Sequence, residues 1–316
     1  MKAVGFGVIG LGRQGLRLSE HIRKDIKSGK LIAVCRRSEC AKDYAKKHGV
    51  IYYSNYHELL NNKEIDVVII TTPSNLHGIH AIEALRAEKH ILIDKPLASN
   101  LNEGHKILSL AKKNKCIVAI NFPLRVNQVT KTIKAHLKKI GKLMMIQIIV
   151  SHGPVRNKWQ LDITLSNGGV IMDLGSHFFD LVSFLTGKRP EKIVSAFSEK
   201  TSNENSGFIN LEYNGVNVSM VLLRNQKLKK SFITCAGSKG FLSADYVSRK
   251  VILSSDKANS EIKCPEGYDY EDILNNLVGA ITNKENILAD ANDGFNSLMT
   301  ALSVYKAIQT QKAVII

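Results

Sequence analysis

The residue pattern with the clearest chemical meaning is a glycine-rich turn near the start of the chain, GLGRQG, between an apolar run, Val4 to Ile9, and a helix-like stretch, Leu16 to Lys27. In this strand–turn–helix context the first glycine permits a tight turn, the second lets backbone approach a pyrophosphate, and the third lets helix and strand pack closely. The helix N-terminus then offers unpaired N–H groups to phosphates. The turn predicts a dinucleotide site. Its residues are Gly10, Gly12, Arg13, Gln14 and Gly15.

The next informative position lies about 20 residues beyond that turn, where NAD-binding folds carry an acidic residue for the ribose hydroxyls. Here that place is held by Arg36, with Arg37 beside it. A carboxylate would repel a 2′-phosphate, whereas a guanidinium pairs with it through two hydrogen bonds. The sequence therefore favours NADP(H) over NAD(H).

The elements that position these residues alternate strand and helix over residues 1–122. Continuous apolar strands separated by helices predict a doubly wound parallel sheet of the Rossmann type, covered on both faces. Ligands of such sheets bind beyond the carboxyl ends of the strands. That rule adds further cofactor candidates at one rim: Thr71, Thr72, Pro73, Asn75, His77, Asp94, Lys95 and Asn121.

The pattern changes over residues 123–316, which we predict to be a second, α/β domain. Several extended stretches are separated by turns, and Asn214-Gly215 between two apolar runs is a hairpin signal. We expect a large, open, mostly antiparallel sheet, interrupted by a helix at about Met172 to Leu185 and followed by a C-terminal helix at about Asp293 to Gln309.

Composition limits the remaining functions. The formal net charge is +16, but the lysines fall on polar helix faces and near turns, with no basic block interleaved with aromatics, so we expect no nucleic-acid partner. The five scattered cysteines read as reduced thiols of a cytoplasmic protein, and no histidine–cysteine grouping predicts a metal. No apolar run suggests a membrane span and no signal peptide is expected.

Four separated stretches together resemble the Gfo/Idh/MocA family of oxidoreductases: GVIGLGRQG, TTPSNLHGIHAIEAL, HILIDKPLA and NGGVIMDLGSHFFDLVSFLTG. The tail DGFNSLMTALSVYKAIQTQKAV is similar to the closing helix and strand of that family. The resemblance implies a hydride transfer between NAD(P) and a hydroxyl or keto carbon of a sugar, polyol or nucleotide sugar. It also implies pairing of subunits through the open sheet, hence a homodimer or homotetramer.

The resemblance assigns catalysis to Lys95, Asp173 and His177. Lys95 matches the lysine of the family's Glu-Lys-Pro motif, although Asp94 stands where glutamate is usual. An ammonium can stabilise developing charge on the reacting oxygen, and an imidazole titrates in the range needed of a general acid or base. Asp173 lies four residues before His177, so the two side chains would share one face of an α-helix. Whether Lys95 or His177 moves the proton stays open.

Substrate contacts are predicted at Lys95, Asn121, Arg125, Arg156, Trp159, Asp173 and His177. Trp159, the only tryptophan, can form an apolar wall for a sugar ring, and Arg156 can meet an acidic group. Three alternatives remain. They are a reductase of a non-sugar substrate, as in the biliverdin reductases, a cofactor-binding regulator without catalysis, and a nucleic-acid binder.

Overall fold

The structure is a computed structural model that describes residues 3–36, 38–155, 158–199, 203–256, 259–267 and 269–316. The chain forms two compact units. Unit 1 comprises Met1–Pro123 and Asp269–Phe295, and unit 2 comprises Leu124–Tyr268 and Asn296–Ile316.

The strands are β1 (Val4–Ile9), β2 (Gly29–Cys35), β3 (Ile51–Tyr53), β4 (Val67–Ile70), β5 (His90–Asp94), β6 (Val118–Asn121), β7 (Leu143–Ser151), β8 (Lys192–Ser198), β9 (Ser206–Glu212), β10 (Asn217–Leu223), β11 (Lys230–Gly237), β12 (Gly240–Asp245), β13 (Lys250–Ser255), β14 (Asn259–Lys263) and β15 (Val314–Ile315). The α-helices are α1 (Arg13–Lys24), α2 (Glu39–His48), α3 (Tyr56–Asn61), α4 (His77–Arg86), α5 (Leu101–Lys113), α6 (Gln128–His136), α7 (Ile163–Ser166), α8 (Ser176–Thr186), α9 (Tyr270–Asn283) and α10 (Ala291–Thr310).

Unit 1 is built on a six-stranded sheet in the order β3-β2-β1-β4-β5-β6, and every neighbouring pair is parallel. All residues of β1 and β4 are buried, which is why these strands are continuously apolar in the sequence. The predicted Rossmann sheet is confirmed. Its carboxyl edge carries the glycine turn after β1, Arg36 after β2 and Lys95 after β5.

The predicted division into residues 1–122 and 123–316 needs one correction, because the chain returns to unit 1 over Asp269–Phe295. Arg17 Nη1 donates to the Tyr270 hydroxyl at 2.9 Å, which ties α9 to α1. The Ile120 amide donates to the Ala289 carbonyl at 2.9 Å, so the segment before α10 extends the edge of the sheet beside β6. A contact between positions so far apart in sequence leaves no local pattern.

Unit 2 contains a nine-stranded sheet in the order β14-β13-β12-β11-β7-β10-β9-β8-β15. Only β7 and β10 pair in parallel, so the prediction of a large, mostly antiparallel sheet is confirmed. The predicted hairpin joins β9 to β10, with φ of +45° at Asn214 and +80° at Gly215, as a tight hairpin turn requires. Buried and exposed residues alternate along β9 and β10, so this sheet presents one apolar face to the core.

One helical stretch, Ile163–Thr186, is apolar and long enough by composition to cross a membrane, contrary to the expectation of no such run. However, 78% of its apolar window is buried inside the structure, as in the core helix of a globular protein.

Candidate functional site

The glycine turn of unit 1 assigns a separate role to each glycine. Gly10 has φ of +96°, a conformation that favours glycine, and a Cβ there would lie 2.7 Å from the Thr71 carbonyl carbon. A Cβ at Gly15 would collide with the Gly10 carbonyl oxygen. In contrast, a Cβ at Gly12 would meet no atom within 4 Å. Gly10 and Gly15 therefore serve the fold, whereas the space in front of Gly12 is open for a ligand.

Thr71 and the start of α1 complete the turn. The Thr71 hydroxyl donates to the Gly10 carbonyl at 2.5 Å, which fixes the turn to the end of β4. Helix α1 begins at Arg13, whose side chain is exposed, and Gln14 accepts a hydrogen bond from Arg17 at 3.2 Å. No acidic side chain lies in the first turn of α1, so nothing there opposes an anion.

Arg36 lies against this turn. Its Nη1 donates to the Leu11 carbonyl at 2.7 Å, and its own amide donates to the Tyr53 carbonyl at 3.3 Å. The side chain is exposed, and this contact holds it beside the turn. Arg37, the second predicted arginine, lies outside the described residues.

The rim beyond β5 and β6 is organised around Asp94. One carboxylate oxygen accepts from the Lys95 amide at 3.1 Å and from the Asn121 side-chain amide at 3.2 Å. Burial raises the pKa of the Asp94 carboxyl, against the opposing effect of the Lys95 ammonium. Asp94 thus fixes the backbone at Lys95 and orients Asn121, which suits a positioning role for the residue that replaces the family's glutamate.

His77 links two loops of the rim. Its Nδ1 lies 2.7 Å from the Pro96 carbonyl oxygen and its Nε2 lies 2.9 Å from the Thr72 carbonyl oxygen. The ring is buried, and burial lowers its pKa. His77 and Thr72 therefore join the loop after β4, which continues through Pro73, to the loop that carries Lys95.

Two buried acceptors at this rim have no hydrogen-bond partner among the described residues: Asn75 Oδ1 and Asn121 Oδ1. Buried polar atoms are nearly always satisfied, so orphaned acceptors indicate a missing donor. A nicotinamide carboxamide is such a donor. Together with the open space at Gly12, these atoms fit a dinucleotide site, in which Asn75 and Asn121 would accept from the ligand.

In unit 2, Asp173 lies in a π-helical turn, Ile171–Gly175, and His177 lies in the first turn of α8. The turn that carries Asp173 is therefore π-helical and not the regular α-helix of the expectation. That the two side chains share one face stays a prediction. Asp173 accepts a hydrogen bond from Gln160 Nε2 at 3.3 Å. This contact brings the turn Lys158–Leu161, with half-buried Trp159, next to Asp173. Arg156 lies outside the described residues.

Arg125 is a buried structural group in unit 2. Its Nε donates to Asp180 Oδ2 at 2.9 Å and its Nη2 donates to Asp180 Oδ1 at 2.6 Å, so the fork is bidentate. Only 6% of the arginine side chain is exposed. This geometry favours a role in holding α8 over the predicted contact with substrate.

Sequence reasoning missed a buried carboxylate, Glu204, which accepts from the amides of Gly169 and Ile171 at 3.1 and 3.0 Å. The Tyr305 hydroxyl donates to it at 2.8 Å. Burial raises the pKa of Glu204, although these donors favour the ionised form. The glycine pair before the π-helical turn was the only local signal, because a Cβ at Gly169 would strike the Glu204 backbone.

A group with metal-ligand chemistry was also missed in unit 1. His21, Asp25 and Glu271 place their ligand atoms within 4.8 Å of one another. His21 Nδ1 and Asp25 Oδ2 are 2.7 Å apart, the distance of an ordinary hydrogen-bonded pair, and both carboxylates are exposed. A surface hydrogen bond within one helical turn therefore explains why His21 and Asp25 lie together.

Comparison with known proteins gives the same assignment from both halves of the chain. Residues 4–122 match the oxidoreductase family with an NAD-binding Rossmann fold, and residues 130–243 match the GFO/IDH/MocA C-terminal domain. A myo-inositol 2-dehydrogenase of Thermotoga maritima is 30% identical over 59% of this chain, which spans 56% of the length of that relative. The scyllo-inositol 2-dehydrogenase (NADP(+)) IolU of Bacillus subtilis is 25% identical over 92% of each chain.

Among solved structures, an oxidoreductase domain protein from Kribbella flavida superposes with a TM-score of 0.92, at 20% identity and 100% coverage of both chains. That likeness concerns the fold. With both family models matched, in chain order and over most of its length, this chain belongs to the Gfo/Idh/MocA family of oxidoreductases.

Proposed function

We propose that this chain is an NADP(H)-dependent oxidoreductase that transfers a hydride to or from a hydroxyl or keto carbon of a sugar, polyol or nucleotide sugar. The observation that carries the proposal is the order of groups along one sheet edge. Arg36, the open turn at Gly12 and Lys95 follow β2, β1 and β5. Strand spacing separates the ends of β2 and β5 by about 14 Å, which suits an extended dinucleotide. Family membership supports the reaction class.

The preference for NADP(H) rests on Arg36. Its guanidinium is held beside the turn by the Leu11 carbonyl, so it is positioned before the ligand arrives. A 2′-phosphate on the adenosine ribose would meet a planar fork of donors, whereas a bare 2′-hydroxyl gains far less from it. The acidic residue that favours NAD is absent at this position.

The catalytic groups of the proposal are Lys95, Asp173 and His177. Bound NADP(H) supplies or accepts the hydride. The Lys95 ammonium donates a hydrogen bond to the reacting oxygen and stabilises its negative charge. His177 or Lys95 exchanges the proton with that oxygen, and Asp173 orients the imidazole or binds a substrate hydroxyl. The turn containing Trp159 supplies an apolar wall for a ring.

A homodimer or homotetramer in the cytoplasm is part of the proposal. Cross-strand register aligns one apolar row on the outward sheet face, running through Phe197, Phe208, Val221, Ile149 and Phe232. The three phenylalanines expose 65, 48 and 41% of their surface, more than a monomer usually leaves in one row. A second copy of the same chain, packed against this apolar row, would remove it from solvent.

The subunit contact is tested by light scattering on a Phe208→Lys, Phe232→Lys double variant. We expect its mass to fall to that of a monomer, because two charges cannot be buried unpaired. Leu228→Lys is the control, since Leu228 is 71% exposed and lies in the loop before β11. A monomeric parent protein contradicts this part of the proposal.

The cofactor assignment is tested by dissociation constants for NADPH and NADH. We expect the parent to bind NADPH at least about tenfold more tightly. Arg36→Ala should weaken NADPH by about 10- to 100-fold and leave NADH within about threefold. Arg86→Ala, an exposed arginine on α4, is the matched control. Equal or tighter binding of NADH by the parent contradicts the preference.

A further inference from the structure

A second feature of unit 2 concerns Arg224, which directly follows β10 and is 2% exposed. Its Nη2 donates to Asn203 Oδ1 at 2.6 Å and to the Glu204 carbonyl at 3.2 Å. Its Nε donates to Asn205 Oδ1 at 3.2 Å. One buried guanidinium therefore donates hydrogen bonds to three consecutive residues, 203–205, just before β9.

Asn203, the first of these residues, connects Arg224 to the Lys158–Leu161 turn, which carries Trp159. The Asn203 side-chain amide donates to the Leu161 carbonyl at 2.6 Å and to the Gln160 carbonyl at 3.2 Å. These bonds satisfy two carbonyls of the Lys158–Leu161 turn from outside it. The position of this turn thus depends on Asn203. The side-chain oxygen of Asn203, Oδ1, accepts a hydrogen bond from Arg224.

Glu204, the second residue, connects Arg224 to the π-helical turn that carries Asp173. Glu204 accepts from the amides of Gly169 and Ile171 through its carboxylate, and its backbone carbonyl accepts from the Val170 amide at 2.8 Å. The first amides of a helical segment have no partner within it, so Glu204 caps this segment. The cap lies two residues before Asp173.

The two arms meet at the hydrogen bond from Gln160 to Asp173, 3.3 Å long. Both partners of that bond are held by neighbouring residues, one through Asn203 and one through Glu204. Arg224 binds both of these residues. The result is a closed ring of contacts around the substrate side of the proposed site.

We propose that Arg224 is a positioning residue that, through Asn203 and Glu204, sets Asp173 at a fixed distance from the Trp159–Gln160 turn. The inference rests on the proposed function in that Asp173 and this turn face the substrate. Arginine suits the task because its rigid fork directs several donors at fixed angles, which lysine cannot do. The two sets of contacts have separate effects. The Asn203 arm, the bonds from Arg224 through Asn203 to the Lys158–Leu161 turn, governs substrate binding. The Glu204 arm, the bonds from Arg224 through Glu204 to the π-helical turn, governs the chemical step through Asp173.

Hydrogen exchange measured by mass spectrometry on the full chain tests the ring without any substrate. We expect Asn203→Ala to speed exchange about tenfold in residues 158–167 and to leave 169–177 unchanged. Glu204→Gln, which keeps one acceptor oxygen, should do the reverse. Arg224→Lys should speed exchange in both segments. Asn276→Ala is the matched control, because Asn276 ties the 286–288 loop in unit 1 through the same kind of side-chain bonds.

Kinetics supply the second readout. Asn203→Ala should raise KM about fivefold with kcat within about twofold, and Glu204→Gln should lower kcat about tenfold with little change in KM. A uniform rise in exchange across unit 2 for all three variants, or the same kinetic change in both arms, overturns the proposal. If Arg224→Lys fails to fold, Arg224→Gln, which keeps one side-chain donor, takes its place, and the two single-arm variants test the arms separately. An enzyme without turnover refutes the proposed function, while the exchange pattern decides the ring independently.

Discussion

The two units place functional groups by different physical means. In unit 1 the groups follow buried parallel strands, so the backbone of the sheet delivers them to one edge. In unit 2 the groups lie on a π-helical turn, on the start of α8 and on the Lys158–Leu161 turn. Buried side chains of distant strands and loops hold the π-helical turn in place. Unit 1 therefore depends on backbone geometry, and unit 2 depends on a few long-range polar contacts. This difference predicts how activity and stability change when residues of each unit are substituted.

The largest expected effect concerns Lys95 of unit 1. Lys95→Met should lower kcat by at least about 1,000-fold, because in the proposed mechanism the reacting oxygen would lose its charged donor. NADPH affinity should change by less than about threefold, since the proposal places the main cofactor contacts at the glycine turn. Steady-state rates and a fluorescence titration measure the two quantities. His177→Asn, the comparison variant in unit 2, should lower kcat by about 100- to 10,000-fold. Activity retained by Lys95→Met removes this residue from the mechanism.

The second effect tests whether unit 2 depends on buried polar pairs. Arg125→Met keeps the volume of the side chain but leaves Asp180 charged and buried, which should cost about 3–5 kcal/mol of unfolding free energy. Denaturant titration measures it. Arg249→Met removes a half-buried arginine from the exposed carboxylate of Glu266 and should cost less than about 1 kcal/mol. Equal losses in the two variants would contradict a special role for the buried pair.

The smallest effect separates folding from binding within the glycine turn of unit 1. Gly15→Ala should destabilise the protein by about 1–3 kcal/mol, because its Cβ meets the Gly10 carbonyl oxygen. Gly12→Ala should change stability by less than about 0.5 kcal/mol, because its Cβ enters open space. The same Gly12→Ala variant should weaken the binding of NADPH by at least about tenfold, since the proposal places the pyrophosphate in that space. Thermal unfolding with and without NADPH checks both, and a reversed pattern contradicts the assignment.

The comparison also explains what the sequence can predict. The parallel sheet, the rim of unit 1 and the Asn214–Gly215 hairpin follow from apolar runs and turn residues that are neighbours in sequence. The return of residues 269–295 to unit 1 does not, because their contacts with α1 and β6 join positions up to 253 residues apart. Local pattern carries no information about such a contact.

The same limit applies to the candidate site. Lys95 and His177 stand in motifs, so the sequence can predict a role for them, whereas Glu204 and Arg224 stand alone in stretches without any pattern. Their importance comes from burial and from hydrogen bonds that only the folded chain creates. The bidentate contact of Arg125 with Asp180 likewise cannot be predicted from the sequence, because no local pattern shows that these two charged residues are buried together.

The most direct test of the central claim is the transfer of deuterium from NADPH labelled at its transferable position to a panel of keto derivatives of inositols and nucleotide sugars. We expect one deuterium on the carbinol carbon of a product formed by the parent protein, and none with Lys95→Met. A protein that binds NADPH but labels no member of the panel would contradict the account and would instead be a cofactor-binding regulator.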